Sequence, residues 1–136
     1  MPVRLEWLDR DQTLIHIVAQ GRLSPDEVFV AAGTLREMLT SVARPVDVII
    51  DASKQLFFSH HYLEMLHKVH RMSYPNLRLV VFVESIGWEF FLQFIRQVGK
   101  LPYQFDVRPT FEQALELIQS VRLEAGAPPT SSMRWN

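Results

Sequence analysis

The sequence contains no cysteine, which removes disulfides, thiolate nucleophiles and cysteine-based zinc sites together. Its five glycines form neither a Gly-rich phosphate loop nor a G-x-S-x-G elbow. Charge of neither sign dominates: 14 Lys and Arg face 15 Asp and Glu, a formal net charge of −1, so no global field draws in nucleic acid or anionic lipid. Long apolar runs are missing too, since none approaches the ~18 residues that span a bilayer. The opening "MPVRLEWLDRD" places charges where a secretory apolar segment would lie. From these absences we expect a cytoplasmic protein with no membrane span, no nucleic-acid partner and no cofactor.

What is present is enough for one folded unit. The chain has 136 residues, 48% hydrophobic and 21% charged, the composition of an ordinary globular protein of single-domain length. In "VRLEWL" Val3, Leu5 and Trp7 alternate with Arg4 and Glu6, the period of a half-buried strand. "DRDQ" turns the chain and "TLIHIVAQG" runs back, so residues 3 to 19 read as a hairpin. His16, between Ile15 and Ile17, reads as a surface or satisfied strand residue.

"SPDE" then carries a complete helix start, with Ser24 as N-cap, Pro25 at the first helical position and Glu27 closing a capping box. Val28, Ala32, Leu35, Leu39 and Val42 form the apolar stripe of that helix. "VDVIID" has the continuous apolar character of a strand buried on both faces. A helix is expected from about Ser59 to Met72, a break at "SYPN", and a further strand in "LRLVVFVES". A third helix, "GWEFFLQFIRQV", precedes the last strand, "YQFDV". A fourth helix is capped by Thr110, with Gln113 three residues on. The order is β-β-α-β-α-β-α-β-α, an α/β fold. Its five-stranded sheet is mixed, mostly parallel and covered by four helices. Residues 1–123 form the domain; 124–136, rich in Pro, Ser and Gly without periodicity, form a flexible tail.

This order, with "GRLSPDEV" after the second strand, "VIIDAS" as the third and "FDVRPTFEQALELI" as the closing strand and helix, resembles the STAS domain, the SpoIIAA-like fold of anti-sigma-factor antagonists. The resemblance covers about residues 3 to 122. It implies a non-enzymatic bacterial regulatory module that works by protein–protein contact. In that family the third strand ends in a segment like L-D-L-S, which falls here on Ile50, Asp51, Ala52 and Ser53. A following Asp-Ser-Ser-Gly falls on Ser59, His60, His61 and Tyr62. The family's second serine is phosphorylated by a partner kinase; His61 stands at that position, so the switch hydroxyl is missing here.

The residues themselves say how that turn keeps its shape. Ser59 is a strong N-cap, and Phe58 and Leu63 have the spacing of a hydrophobic staple. Free amides at the helix start attract a carboxylate or phosphate, flanked by His60 and His61 as donors when protonated. Ser59, His60, His61, Tyr62 and Asp51 are therefore the expected partner-binding residues. For Asp51 the simplest role is to accept hydrogen bonds from nearby amides and shape the turn.

Two other groupings stand out. His60, Glu64 and His67, spaced i, i+4, i+7, share the polar face of the second helix. Spacing alone supplies no second shell, so we expect solvated side chains and no metal site. The third helix is apolar over more of its circumference than a helix on one sheet requires. Trp88, Phe90, Phe91 and Phe94 are the residues expected to make an apolar interface. Such a patch would serve self-association as a homodimer, a protein partner, or an apolar small molecule or lipid. No catalytic set emerges, and we expect the protein not to be an enzyme.

Overall fold

The computed structural model describes residues 3–21, 24–55, 74, 76–83 and 103–124. These contain strands β1 (Val3–Trp7) and β2 (Leu14–Gly21), helix α1 (Pro25–Thr40), strands β3 (Val46–Gln55), β4 (Leu77–Val83) and β5 (Gln104–Arg108), and helix α2 (Phe111–Glu124). The strands form one sheet in the order β1-β2-β3-β4-β5. β1 pairs antiparallel with β2, and every later pairing is parallel, as expected for the mixed sheet. The helices expected over residues 59–72 and 87–98 lie outside the described residues, as does the tail from residue 125.

The hairpin turn is held by one side chain. Asp9, 4% exposed, accepts from the Thr13 amide at 2.9 Å and the Leu14 amide at 3.1 Å, and also from the Thr13 hydroxyl. A carboxylate that gathers this many donors is the local turn-forming device of Asp. Gln12 takes a positive φ of 56° to complete the reversal.

α1 starts as its sequence specifies. The Glu27 amide donates to Ser24 Oγ, and the Ser24 amide donates to Glu27 Oε1, each at 3.2 Å. Val28, Ala32, Leu35 and Leu39 are buried, and Leu35 and Leu39 meet Val3, Ile15, Ile17, Val46, Val48 and Val80 on one face of the sheet. α2 lies on the opposite face. Its Ala114, Leu115 and Ile118 pack on Leu8, Leu14, Ile49, Leu79, Val81 and Val83. The split follows from the two-residue period of strands, which sends Leu14 and Ile15, or Val48 and Ile49, to opposite sides. Each fully buried Leu, Ile or Val contributes roughly 1.5–3 kcal/mol relative to exposure, so the central strands, covered on both sides, carry most of the stabilisation.

Two features depart from the sequence-based expectation. β3 runs four residues past "VDVIID": after a register shift between Val18 and Gln20 it goes on to pair Lys54 with Gln20 and Gln55 with Gly21. Ala52, fully buried against Phe82, gives that extension an apolar anchor. The apolar run of β3 also holds a charge, Asp47, at 1% exposure. Its carboxylate accepts a bidentate pair from Arg78, at 2.9 and 2.6 Å, and from Arg122 at 2.9 and 2.8 Å. Arg122, 3% exposed near the end of α2, also donates to the Thr13 carbonyl at 3.0 Å. A buried charge requires such partners, and this triad fastens the C-terminal end of α2 to the starts of β2 and β3.

Candidate functional site

The carboxyl ends of β3, β4 and β5 form one edge of the sheet, where open α/β folds place their functional residues. Registers define two rows of side chains across the face that carries α2. One runs Glu6, His16, Ile49, Val81, Asp106 and the next Arg4, Val18, Asp51, Val83, Arg108. The polar members of the site thus come from β1, β2, β3 and β5, separated by apolar residues of the intervening strands.

Asp51, partly buried, accepts from the Ser53 amide at 3.0 Å and from the Ser53 hydroxyl at 2.6 Å. The side chain satisfies a backbone donor two residues on, but that donor lies within β3 and not in the loop expected, whose residues lie outside the described ones. It also ties up the Ser53 hydroxyl as a donor. On β5, Asp106 accepts from Arg108 at 3.0 Å, and the same Arg108 nitrogen donates to the Val107 carbonyl at 2.7 Å. Both side chains of that pair are about a third or more exposed, so the pair adds little to stability.

His16 corrects the expectation of a surface or satisfied residue. Its side chain is only 14% exposed, and its ring stacks on Phe111 at 4.6 Å between centroids with 26° between planes. Nε2 is buried with no hydrogen-bond partner among the described residues. Nδ1 lies 3.9 Å from Glu6 Oε1, too far for a hydrogen bond. Burial pushes the pKa of this histidine below its ordinary 6.5, outweighing the attraction of Asp51 and Glu6. The alternation rule placed His16 on the face opposite Ile15 and Ile17 correctly; it did not disclose that α2 covers that face.

Ser59, His60, His61 and Tyr62 lie outside the described residues, as do Trp88, Phe90, Phe91 and Phe94. Of the expected partner-binding set, Asp51 alone has a described environment. β3 ends at Gln55, four positions before Ser59. No group of three or more His, Asp or Glu that could hold a metal occurs among the described residues, and no helix of the described residues is long and apolar enough to cross a membrane.

The sequence reading missed Asp47, Arg78 and Arg122. A signal was there: an aspartate inside "VDVII" interrupts an otherwise apolar strand, and a carboxylate in that setting demands a cation. Which of 14 Lys and Arg would answer it is not legible, since Arg122 is 75 positions away.

No protein-family model matches the chain, and no curated protein matches it. Among solved structures it is similar to an uncharacterised DUF3478-family protein from Shewanella loihica PV-4 that has a SpoIIAA-like fold. The TM-score is 0.60 and the identity 17%, over 85% of this chain and 90% of that one. With its mixed five-stranded sheet and helices on both faces, the chain has the SpoIIAA-like fold.

Proposed function

We propose that the protein is a non-enzymatic STAS-like regulatory module that acts by protein–protein contact and lacks the serine phosphoswitch. The observation that carries this reading is the pairing of a SpoIIAA-like fold with histidine at position 61, where the STAS pattern has its phosphorylated serine. Contact is assigned to the turn Ser59 to Tyr62 together with Asp51 at the end of the sheet. The Asp51–Ser53 hydrogen bonds support a shaped lead-in to that turn. Regulation would then depend on occupancy and partner concentration in place of a covalent phosphate.

The test is a quantitative pull-down from native lysate with wild type and His60→Glu/His61→Glu. Retention of the specific partner should fall at least tenfold while the circular dichroism spectrum stays unchanged. Undiminished retention of every partner would remove the turn from the interface.

A second reading rests on the aromatic segment "GWEFFLQF", in which Trp88, Phe90, Phe91 and Phe94 supply the apolar surface a lipid or other apolar ligand needs. Organic extraction of protein from its own cells, followed by mass spectrometry, would show a stoichiometric ligand under this reading and none under the first.

A further inference from the structure

His16 is not used by the docking reading, yet its surroundings are unusual for a histidine. The ring lies against Phe111, the first residue of α2. The charged groups facing it are Glu6 and Arg4 from β1 and Asp51 from β3. From α2, among the described residues, it meets the apolar ring of Phe111, which stands at the amide end of the helix. That end is capped by Thr110, whose Oγ1 accepts from the Gln113 amide and whose carbonyl accepts from the Ala114 amide, both at 3.1 Å.

The neutral imidazole fits this place well. It stacks on an aromatic ring, and its cost is one buried nitrogen with no partner among the described residues. The imidazolium does not fit. Both nitrogens would become donors, and Nε2 has no acceptor among the described residues. The cation would sit beside the helix end that carries partial positive charge, with Arg4 adding to the repulsion. Neither carboxylate bonds the ring as it lies: Glu6 is beyond hydrogen-bonding distance at 3.9 Å, and Asp51, whose Oδ1 accepts from Ser53, attracts the cation only through space, an attraction that burial outweighs.

The two ends of α2 are therefore fastened differently: the C-terminal end by the Arg122–Asp47 ion pair, the N-terminal end by the apolar packing of Ala114 and Leu115 and, added to it, Phe111 on the ring of His16. We propose that His16 is a proton-operated latch: when neutral it holds the first turns of α2 on the sheet, and on protonation it releases them while the Arg122 end stays fixed. The released turn follows β5 at the sheet edge where Asp51 lies, so the latch would alter that edge whether or not Asp51 contacts a partner.

The direction with pH follows from linkage. The folded state binds the proton more weakly than the open state, whose histidine titrates near the ordinary 6.5. The latch is thus fully stabilising above about pH 6.5 and weakens as pH falls toward the folded value. Between pH 7.5 and 5.5 the open population rises by up to about tenfold.

Hydrogen–deuterium exchange of the full chain at those two pH values, corrected for intrinsic chemical rates, tests this. The amides of Ala114 to Ile118 should lose several-fold protection at pH 5.5, those of Leu35 to Leu39 in α1 should not, and His16→Phe, which keeps a stacked ring without a titrating group, should abolish the difference. The same pH response in His16→Phe, or an equal response in α1, overturns the latch. An NMR titration of the wild-type His16 ring provides a reading even if that variant does not fold: a midpoint below 6.5 supports the proposal, and one at or above 6.5 overturns it.

Discussion

Asp47→Ala destabilises the protein by about 3–5 kcal/mol, a large part of the stability of an ordinary domain, which is about 5–15 kcal/mol. Asp47 is 1% exposed and is the shared acceptor of Arg78 and Arg122. Removing it leaves the guanidinium of Arg122, itself 3% exposed, without its carboxylate inside the sheet-to-helix core. The cost arises from the stranded cation more than from the lost attraction, since a buried ion pair nets little against an apolar equivalent. The triple change Asp47→Leu/Arg78→Met/Arg122→Met should accordingly recover at least half of the loss, short of all of it because Arg122 also serves the Thr13 carbonyl. Urea denaturation of the three proteins measures both effects. A single variant within 1 kcal/mol of wild type would show that the triad is not what fastens α2.

The second large effect is Leu39→Ala, expected to cost about 2–5 kcal/mol. Leu39 is fully buried and lies in the cluster with Leu35, Val3, Ile15, Ile17, Val46, Val48 and Val80. Truncation opens a cavity between α1 and the sheet. The strands are fixed by their ladders and by the opposite core under α2, so they cannot close over it. Leu123→Ala is the control, because Leu123 is 59% exposed and its loss should stay within about 0.5 kcal/mol. The denaturation midpoint should move with the slope unchanged. A Leu39→Ala midpoint indistinguishable from that of Leu123→Ala would contradict the packing of α1 described above.

The two cases show what the sequence discloses and what it does not. Leu39 is legible from the four-and-three spacing of Val28, Ala32, Leu35 and Leu39, because helical periodicity is a local property. The capping box at Ser24 is legible for the same reason. Asp47, Arg78 and Arg122 are not, because their pairing joins two strands and the last turn of the chain's final described helix. His16 stands between: its face was readable from alternation, while its burial depended on Phe111 of α2 stacking on it. The extension of β3 to Gln55 was hidden by a register shift that lets polar residues keep pairing. At the candidate site, Asp51 could be read as an acceptor for a nearby amide because its partner, Ser53, is two residues away, whereas the place of that amide within β3 was hidden with the strand's extension. The contact role of Ser59 to Tyr62 rests on the aligned pattern and the fold.

That contact role is the central claim, and in-cell photo-crosslinking tests it most directly. The protein is expressed in its own cells as Tyr62→p-benzoylphenylalanine and, separately, as Arg10→p-benzoylphenylalanine, the latter in the exposed β1–β2 turn, at the end of the sheet away from Asp51. A discrete protein adduct from position 62 that is absent from position 10 is the predicted result. Adducts at position 10 with none at position 62 would contradict it.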